Sequence, residues 1–598
     1  MSTYGPCFAI KYTKVPEPNY VKLFILNLDM CGLFCCIPTR KNNHYCLQNE
    51  ILYTILRNRG PNAEKILKTA EGTFAGFVLW HQGEEICPQP IVLNNIILLF
   101  NGDILNISPK DLNNESDSYW LSRQLQRCES DEHLLELFRK LEGSFSFIMY
   151  NTYSKDLYFA RDSMGRNSLI VEKNKEHICI LSVSSLSNKK AIELPPLGVF
   201  KLSIENFDNW KLFPWVALDD DQKRSIQVME ETFNINMKCH NIIEPPWLDK
   251  NAFAEKLSFN FYTMIKNLEM PVQELFNILL KNDELISALD KFSALLNNSV
   301  KSRVQNTTKY CNNCLNSRES CNHSKVAILF SGGIDCSVLA ILADKYIDKS
   351  NSIDLINVAF EPINASEKTW NVPDRLSARL SFEDLKLLCR ERKWNLIEVN
   401  VTRVELLDNL STHLKHLIYP LNTVLDESIG SAFWFAARGK GYLDGKEWTS
   451  TARIVILGSG ADELFGGYMR HKKAYIQCHG DEIAKQLNVH KEIERDWKRI
   501  FSRNLARDDR VISDTAKTPR CPFIEEHLVQ FVRSLKSSQR CCFLLPDDNG
   551  SKLFLRLYAQ RLGLRYSTFL KKRAIQFGSK IANKNQKATD ISTFDFIN

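Results

Sequence analysis

Short apolar runs in the second half of the chain predict buried β-strands. Residues 326–330, 356–360 and 454–457 are almost entirely apolar, and their length suits strands that are buried on both faces. The first run leads through a small-residue turn into residues 338–343, which predict the start of a helix, and a further helix is predicted over 381–393. Strands that alternate with helices predict a parallel, doubly wound sheet with right-handed crossovers. Such sheets bind ligands at the carboxyl ends of their strands.

Other periodic patterns lie before this sheet. Two alternating aromatic segments flank a polar turn at 151–156 and predict a β-hairpin. Prolines and mixed charge between residues 200 and 280 predict a linker or insertion. A later stripe recurs every three or four residues, which places it on one face of a helix that we interpret as core. The stripe consists of Leu285, Leu289, Phe292, Leu296, Val300 and Val304.

Composition narrows the class of protein. The chain has 598 residues, too many for one core, so two or three domains are expected. Its 44% hydrophobic and 25% charged content is ordinary for a globular protein, and its dispersed net charge of +7 argues against nucleic-acid or membrane binding. No apolar run reaches the length of a membrane span. The 18 cysteines lack regular disulfide spacing, which predicts reduced thiols in the cytoplasm.

Two glycine turns follow the predicted strands. The first, residues 329–337, reads Leu-Phe-Ser-Gly-Gly-Ile-Asp-Cys-Ser, and the second, residues 457–462, reads Leu-Gly-Ser-Gly-Ala-Asp. Glycines let a backbone approach a phosphate closely, and a following helix N-terminus offers free N–H groups and partial positive charge. The first turn lacks the Gly-Lys-Ser/Thr ending of a Walker A loop. Taken alone, it is also compatible with an ordinary strand–helix turn.

The two turns together resemble those of a known enzyme family. The first is similar to the PP-loop of ATP pyrophosphatases, which adenylate a carboxylate or carbonyl and release pyrophosphate. The second resembles the Gly-x-Gly-x-Asp-Glu-x-x-Gly-Gly-Tyr segment of asparagine synthetases, and residues 504–510, 520–523 and 571–578 resemble further segments of that family. The resemblance implies Mg²⁺ ligands at Asp335 and Asp462. It implies ATP-binding roles for Leu329, Ser331, Gly332, Gly333, Asp335, Ser337, Val358, Gly458, Ser459, Asp462 and Lys572.

The first half of the chain resembles a class II glutamine amidotransferase. Met30 is followed by Cys-Gly-Leu-Phe, which is similar to the start of that class, where the terminal cysteine uses its own α-amino group as base. We therefore expect the working protein to start at Met30, or to be processed there so that Cys31 becomes terminal. The alternative is that the extension 1–29 is retained and the glutaminase is inactive.

Further segments extend this resemblance. Residues 59–62, 100–106, 116–118, 141–147 and 159–166 are similar to the family's successive motifs and imply its αββα Ntn-type fold. By the same resemblance, Asn101 and Gly102 form the oxyanion hole, which stabilises charge on the amide oxygen. Arg59 and Asp117 are implied to bind glutamine.

Some positions depart from the family pattern. Gln82 stands where the family has an arginine for the glutamine carboxylate, and no arginine occurs between Arg59 and Arg123. Loss of a bidentate partner weakens carboxylate binding, although Gln82 can donate a hydrogen bond or Lys65 or Lys68 can substitute. In the synthetase half, Ser459 and Thr518 stand where the family usually has acidic residues.

These observations predict four segments and one function. The segments are an extension at 1–29, a glutamine amidotransferase domain at 30–215, a linker or insertion at 216–284 and a PP-loop synthetase domain at 285–598. The resemblance implies ATP- and Mg²⁺-dependent amide formation from glutamine, with aspartate as the acceptor. The alternative is a pseudoenzyme that keeps the fold, with or without ATP binding, and works as a scaffold or partner-binding protein.

Cysteine and histidine residues cluster just before the first glycine turn. Cys311 and Cys314 have the Cys-x-x-Cys spacing of zinc ligands, but Cys321 and His323 form a poor second half. A structural metal site and a polar surface insertion both remain open.

Overall fold

The computed structural model describes residues 31–591, except 40–46, 48, 113, 187–189, 249–256, 363–368, 583–586 and 588. The predicted extension and Met30 lie outside the described residues. No helix in the described part of the chain is both long and apolar enough to cross a membrane.

The first half of the chain is built mainly of β-strands. Its strands are β1 (Gly32–Pro38), β2 (Ala63–Lys68), β3 (Thr73–Val78), β4 (Ile91–Leu93), β5 (Ile96–Gly102), β6 (Phe145–Asn151), β7 (Asp156–Arg161), β8 (Ile170–Lys173), β9 (His177–Leu181), β10 (Ala191–Glu193), β11 (Gly198–Ser203), β12 (Asn206–Pro214) and β13 (Asn236–Cys239). Its helices are α1 (Glu50–Arg59), α2 (Pro109–Leu112), α3 (Asp117–Gln126), α4 (Asp131–Arg139) and α5 (Asp220–Phe233).

These strands form two sheets that pack face to face. The strand orders are β10-β8-β9-β1-β3-β2 and β13-β12-β11-β7-β6-β5-β4. Leu33 and Phe74 of the first sheet share one apolar core with Leu99 and Ile148 of the second. Helices α3 and α4 cover the outer face of the second sheet and α1 that of the first. This burial explains the apolar alternation in both sheets.

Two sequence predictions can be compared with these sheets. The predicted hairpin around 151–156 is confirmed, because β6 and β7 pair antiparallel there. Within the segment predicted as a linker, α5 precedes β13, and β13 pairs parallel with β12. That part of the segment therefore contributes a strand to the second sheet.

The second half of the chain is richer in helices, α6 to α22. They are α6 (Phe261–Ile265), α7 (Val272–Leu279), α8 (Asp283–Gln305), α9 (Ile334–Tyr346), α10 (Pro373–Leu388), α11 (Arg403–Asn409), α12 (Lys415–Ile418), α13 (Val424–Arg438), α14 (Ala461–Phe465), α15 (Met469–Ile476), α16 (Glu482–Ile500), α17 (Ala506–Ser513), α18 (Glu526–Ser534), α19 (Ser537–Arg540), α20 (Leu553–Arg561), α21 (Tyr566–Phe569) and α22 (Ile575–Gly578). Short 3₁₀ turns lie at Pro246–Leu248, Asn312–Cys314 and Pro546–Asp548, and π-helical turns at Leu410–Leu414 and Phe501–Leu505.

One mixed sheet organises this half. Its strands are β14 (Val326–Leu329), β15 (Ile353–Phe360), β16 (Trp394–Val401), β17 (Lys440–Leu443), β18 (Lys446–Thr449), β19 (Ile454–Ile456) and β20 (Thr518–Arg520). The order is β18-β17-β16-β15-β14-β19-β20. Five neighbouring strands of this sheet pair in parallel, namely β16, β15, β14, β19 and β20. The prediction of a parallel sheet is wrong at one edge, where β17 and β18 form an antiparallel hairpin. Asp444 and Gly445 both have positive φ there, and an Asp-Gly turn of this kind favours a two-residue hairpin.

The helix predicted from the apolar stripe is confirmed as α8. All six stripe residues are at most 4% exposed and belong to the core that also covers β14. The helix predicted over 381–393 instead spans α10, because Pro373 occupies its first turn. Proline suits that position, since its missing N–H has no intrahelical partner there.

Candidate functional site

A small cavity lies in the first domain beside the start of β1, and we call it the Cys31 cavity. Its volume is ≈ 50 Å³, and it is lined by Cys31 together with the predicted residues Asn101, Gly102, Asp117 and Gln82. The structure therefore brings together residues from the starts or ends of β1, β5 and α3. These residues are far apart in the sequence, and the packing of the two sheets brings them together.

The Cys31 thiol is not activated in this environment. Its Sγ accepts a hydrogen bond from the Leu79 N–H at 3.4 Å. Burial raises the pKa of the Cys31 thiol to about 12, with a smaller contribution from the Asp117 carboxylate. A thiol with this pKa is protonated at neutral pH, so it needs a base to act as a nucleophile.

Asn101 and Gly102 both line this cavity, and Asn101 supplies a hydrogen-bond donor there. The buried Asn101 Nδ2 has no hydrogen-bond partner among the described residues. Gly102 has φ +142, and a Cβ there would lie 2.0 Å from the Ser144 carbonyl oxygen. The backbone conformation therefore requires glycine, and an amide donor remains available in the cavity.

Asp117 begins α3 and points its carboxylate into the same cavity. Its oxygens accept hydrogen bonds from the N–H groups of Ser118 and Ile104, at 2.7 and 3.0 Å. Burial, followed by the negative charge of Asp103, raises the pKa of the Asp117 carboxyl to about 7. This group consequently changes charge near neutral pH.

The cations that the sequence suggested for glutamine binding, Arg59, Lys65 and Lys68, do not line this cavity. Arg59 lies behind Cys31, where its guanidinium donates to the Cys31 carbonyl oxygen at 3.4 Å and pairs with Asp509 at 2.9 Å. Lys65 donates to the Pro90 carbonyl oxygen at 2.9 Å, and neither Lys65 nor Lys68 lines the cavity. Among the described residues that line it, none is a lysine or an arginine.

Gln82 lines the cavity, and Asp103 links it by hydrogen bonds to Arg520 of the second domain. Its Nε2 donates to Asp103 at 3.2 Å, while its Oε1 has no partner among the described residues. Asp103 in turn accepts two hydrogen bonds from the Arg520 guanidinium, at 2.7 and 2.8 Å.

The nearby His81 contacts Thr518 at 2.5 Å. The pKa of His81 lies well below the usual range because of burial and two adjacent arginines. The imidazole is therefore neutral.

A larger cavity opens at the carboxyl ends of β14, β15 and β19, and we call it the Asp462 cavity. Its volume of ≈ 360 Å³ falls in the range of about 300–1,000 Å³ that is typical of small-molecule sites. Nine of the residues predicted to bind ATP line it: Leu329, Ser331, Gly333, Asp335, Val358, Gly458, Ser459, Asp462 and Lys572.

Two predicted residues do not line this cavity. Gly332 has φ +78 and packs under α10, where a Cβ would lie 2.3 Å from the Ser377 carbonyl carbon and oxygen. Ser337 is fully buried in α9, and its Oγ has no hydrogen-bond partner among the described residues. Gly332 thus allows the conformation of the turn and its close packing against α10, without lining the cavity.

Four charged side chains converge at the mouth of the two glycine turns. The Lys552 ammonium contacts Asp335 at 2.6 Å and Asp462 at 2.7 Å, and Lys572 also pairs with Asp462. Burial opposes ionisation of both Asp462 and Lys552, but their mutual attraction lowers the pKa of Asp462 and raises that of Lys552. Asp462 and Lys552 are therefore both ionised at neutral pH.

Two residues of this cavity, Lys552 and Glu463, were not predicted from the sequence. Lys552 precedes an ordinary apolar helix, and it lies 217 residues from Asp335, so no local pattern marks it. Glu463 accepts hydrogen bonds from the Tyr468 hydroxyl at 2.7 Å and from Asn504 at 2.8 Å. Burial and the adjacent Asp462 raise the pKa of Glu463 to about 7. Its place beside Asp462 in the second glycine segment was the available signal.

A third cavity of ≈ 20 Å³ lies between the other two, and we call it the connecting cavity. It shares Asp103, Ser144, Asn167, Asp509 and Pro519 with the Cys31 cavity. It shares Leu457 and Asp508 with the Asp462 cavity. The connecting cavity is therefore adjacent to both of the others, and its lining includes residues of both domains.

Comparisons with known proteins agree with this two-part organisation. The family described as "Asparagine synthase" matches residues 320–588, and the family described as "Glutamine amidotransferase domain" matches residues 79–188. These matches cover the region of the Asp462 cavity and most of the Cys31 cavity.

Curated relatives match almost the whole chain. An asparagine synthetase domain-containing protein of Drosophila melanogaster is 44% identical over 94% of this chain and 99% of the relative. Asparagine synthetase domain-containing protein 1 of Homo sapiens is 33% identical over 94% of this chain and 97% of the relative. A Saccharomyces cerevisiae protein with the same domain name is 28% identical over 92% and 93%. The predicted resemblance to asparagine synthetases is confirmed, and the chain belongs to the family of asparagine synthetase domain-containing proteins.

Proposed function

We propose that this protein forms an amide from glutamine-derived ammonia and a carboxylate that it activates with ATP, with aspartate as the acceptor and asparagine as the product. The observation that carries the proposal is the convergence of Asp335, Asp462, Lys552 and Lys572 on one cavity at the strand ends. The proposal includes an αββα Ntn-type glutaminase domain, a doubly wound PP-loop domain and a cytoplasmic setting.

The donor groups in the Asp462 cavity fit magnesium and a nucleotide. Asp335 and Asp462 approach closely enough to share the Lys552 ammonium, and carboxylate oxygens together with substrate phosphates are the ligands that Mg²⁺ prefers. Bound there, Mg²⁺ would neutralise phosphate charge. Lys552 and Lys572 would bind pyrophosphate oxygens, and the glycine turns would admit the phosphates.

The synthetase reaction needs two displacements. An oxygen of the substrate carboxylate attacks the α-phosphorus of ATP, and pyrophosphate leaves. Ammonia then attacks the acyl carbon, and AMP leaves with the electrons of the broken acyl–oxygen bond. Glu463, whose pKa is raised to about 7, lies in the same cavity and is suited to accept the proton that the attacking nitrogen loses.

The glutaminase reaction would use Cys31 as nucleophile. Its thiol needs a base because burial raises its pKa to about 12. A terminal α-amino group, whose pKa is about 7.7–8.0, supplies one when Cys31 begins the chain. Asn101 Nδ2 and the Gly102 N–H would stabilise the oxyanion. Ammonia leaves, water hydrolyses the thioester to glutamate, and the connecting cavity offers the ammonia a path between the sites.

A second candidate is a scaffold that binds ATP without catalysing amide formation. Two observations favour it. The described lining of the Cys31 cavity contains no lysine or arginine for the glutamine carboxylate. Ser459 lines the Asp462 cavity where asparagine synthetases usually carry a carboxylate, and loss of that carboxylate removes a group for proton transfer or charge positioning.

A product assay separates the two candidates. We expect glutamate, AMP and an amide product when glutamine, Mg-ATP and varied aspartate are supplied. Cys31→Ala should abolish glutamine-dependent product but retain product from added ammonium, whereas Asp462→Ala should abolish both. Absence of AMP under every condition, with ATP still bound by calorimetry, would favour the scaffold.

ATP binding can be measured without turnover. We expect titration calorimetry to detect Mg-ATP binding to the full chain, and Asp335→Ala and Asp462→Ala each to weaken it. The exposed Asp221→Ala serves as a charge-matched control. No heat for the folded wild-type protein would contradict both candidates.

Processing at Cys31 is a separate requirement of the glutaminase step. Intact-mass measurement of the native protein should give a chain that begins at Cys31. A mass that retains residues 1–30 would rule out the α-amino mechanism but would leave ATP binding untouched.

A further inference from the structure

We propose that Cys311, Cys314, Cys321 and His323 bind one structural zinc ion. The group lies on the segment between α8 and β14, and none of its members lines the Cys31 or Asp462 cavities. The site is therefore separate from the proposed chemistry.

The ligand atoms already have the spacing of a tetrahedral site. The four side chains each offer one atom within 4.8 Å of the others. Sγ of Cys311 and Sγ of Cys314 lie 3.5 and 3.6 Å from Nδ1 of His323. On a tetrahedral zinc ion, with Zn–S of ~2.3 Å and Zn–N of ~2.0–2.1 Å, sulfur and nitrogen ligands are about 3.6 Å apart.

Backbone contacts hold both halves of the group in place. A 3₁₀ turn joins Cys311 to Cys314, and the Cys314 N–H donates to the Cys311 carbonyl oxygen at 3.2 Å. Asn312 anchors this turn through its N–H to Thr451 at 3.0 Å and through its side chain to Ala452 at 3.3 Å. The carbonyl of Asn322, between the other two ligands, accepts from the Ser352 N–H at 3.2 Å.

The donor set identifies the class of metal. Three thiolates and one imidazole are soft or borderline ligands, which select zinc rather than magnesium or calcium. Four protein ligands complete a tetrahedral shell, so no position stays open for substrate, as in structural zinc sites. All three cysteines are free of disulfides, as zinc coordination requires.

The same segment supports the wall of the Cys31 cavity. Tyr310 and Leu315, each next to a cysteine ligand, form an apolar cluster with Trp80, and the Tyr310 and Trp80 ring centroids are 6.0 Å apart. Arg318, in the loop between Cys314 and Cys321, lies over the Trp80 ring and pairs with Glu85. Zinc would consequently fix the loop against Trp80, next to His81 and Gln82.

The experiment measures metal in the full-length protein purified without added metal. We expect about one zinc per chain by mass spectrometry in the wild type and in Cys239→Ser, which removes an exposed cysteine outside the group. Cys314→Ser and Cys321→Ser should each lose at least four-fifths of the zinc. Zinc contents of these two variants equal to wild type would overturn the proposal.

Cobalt substitution keeps the test valid if these variants fail to fold. Wild-type protein exchanged with Co²⁺ should give thiolate-to-cobalt charge-transfer absorption and the visible bands of tetrahedral Co²⁺, and zinc should displace both. Wild-type protein that holds no zinc and gives no cobalt bands, or that carries a disulfide between two of the three cysteines when purified under reducing conditions, would overturn the proposal.

Discussion

At the scale of single residues, the Cys31 cavity and the Asp462 cavity differ in where their positive charges lie. In the Asp462 cavity, Lys552 and Lys572 face the space that phosphates would occupy. Beside the Cys31 cavity, the guanidinium of Arg520 is held by Asp103, and Gln82 is the side chain that reaches the cavity. An anionic group is thus accommodated far better in the first cavity than in the second.

Gln82→Arg should improve glutamine hydrolysis by a chain that begins at Cys31. A charge-assisted hydrogen bond contributes about 1.5–3 kcal/mol, which corresponds to roughly 10- to 150-fold in kcat/KM. Steady-state kinetics should show part of that gain, and Gln82→Leu, which adds no charge, should show none. An unchanged rate, with activity abolished by Lys65→Met or Lys68→Met, would mean that a lysine binds the carboxylate instead.

Glutamine binding should depend on pH through Asp117. Its carboxyl has a pKa raised to about 7, so it is protonated below that pH and cannot pair with the glutamine ammonium. From the ionised fractions at pH 8 and pH 6, we expect the apparent affinity for glutamine to fall about tenfold. Calorimetric titration across this range tests it, and Asp117→Asn should bind weakly with no pH dependence.

At the scale of elements, the turn from β14 to α9 is a tightly constrained connection at the Asp462 cavity. Gly332 combines positive φ with a close approach to the backbone of α10. The hairpin turn at Gly445 has the same φ of +78, but a Cβ there would have nothing within 4 Å. A comparison of these two positions therefore distinguishes the effect of backbone strain from that of steric contact.

Gly332→Ala should therefore be much more damaging than Gly445→Ala. Left-handed conformation costs a non-glycine residue about 1–2 kcal/mol at either site, while only the methyl group added by Gly332→Ala must displace the Ser377 backbone. We expect a small drop in Tm for Gly445→Ala, and a larger drop together with weakened ATP binding for Gly332→Ala. Equal drops in Tm would show that α10 yields to the methyl group.

At the scale of the whole molecule, buried ion pairs join the two domains around the connecting cavity. Arg520 pairs with Asp103, Arg166 with Glu526 and Arg59 with Asp509, and all six side chains are at most 5% exposed. Removing one partner of such a pair leaves an uncompensated buried charge, which costs about 3–5 kcal/mol.

Arg520→Gln should consequently lower Tm by on the order of 10 °C, given about 2–4 °C per kcal/mol for domains of this size. The double variant Asp103→Asn/Arg520→Gln should recover part of this loss, because neither position then carries an unpaired buried charge. Arg224→Gln, which breaks the exposed pair with Asp221, should change Tm little. Scanning calorimetry measures all three, and a double variant as unstable as Arg520→Gln would show that packing, not charge, is responsible.

The sequence by itself determined the local elements of this protein. The stripe that became α8 and the aromatic hairpin of β6 and β7 were readable because burial imposes a period on neighbouring residues. The glycine turns were readable because backbone approach to a ligand or helix demands glycine. Nine of the eleven residues for which the family resemblance implied ATP binding line one cavity.

Only the tertiary structure decided which distant side chains meet. Lys552 reaches Asp335 and Asp462, Arg59 turns from the cavity toward Asp509, and Arg520 crosses the domain interface to Asp103. These contacts join residues that are between 90 (Lys552 and Asp462) and 450 (Arg59 and Asp509) positions apart. A charged side chain has no periodic signature in its own neighbourhood. Their partners follow from how the sheets and helices pack, because burial forces each charge to find an opposite one wherever the fold provides it.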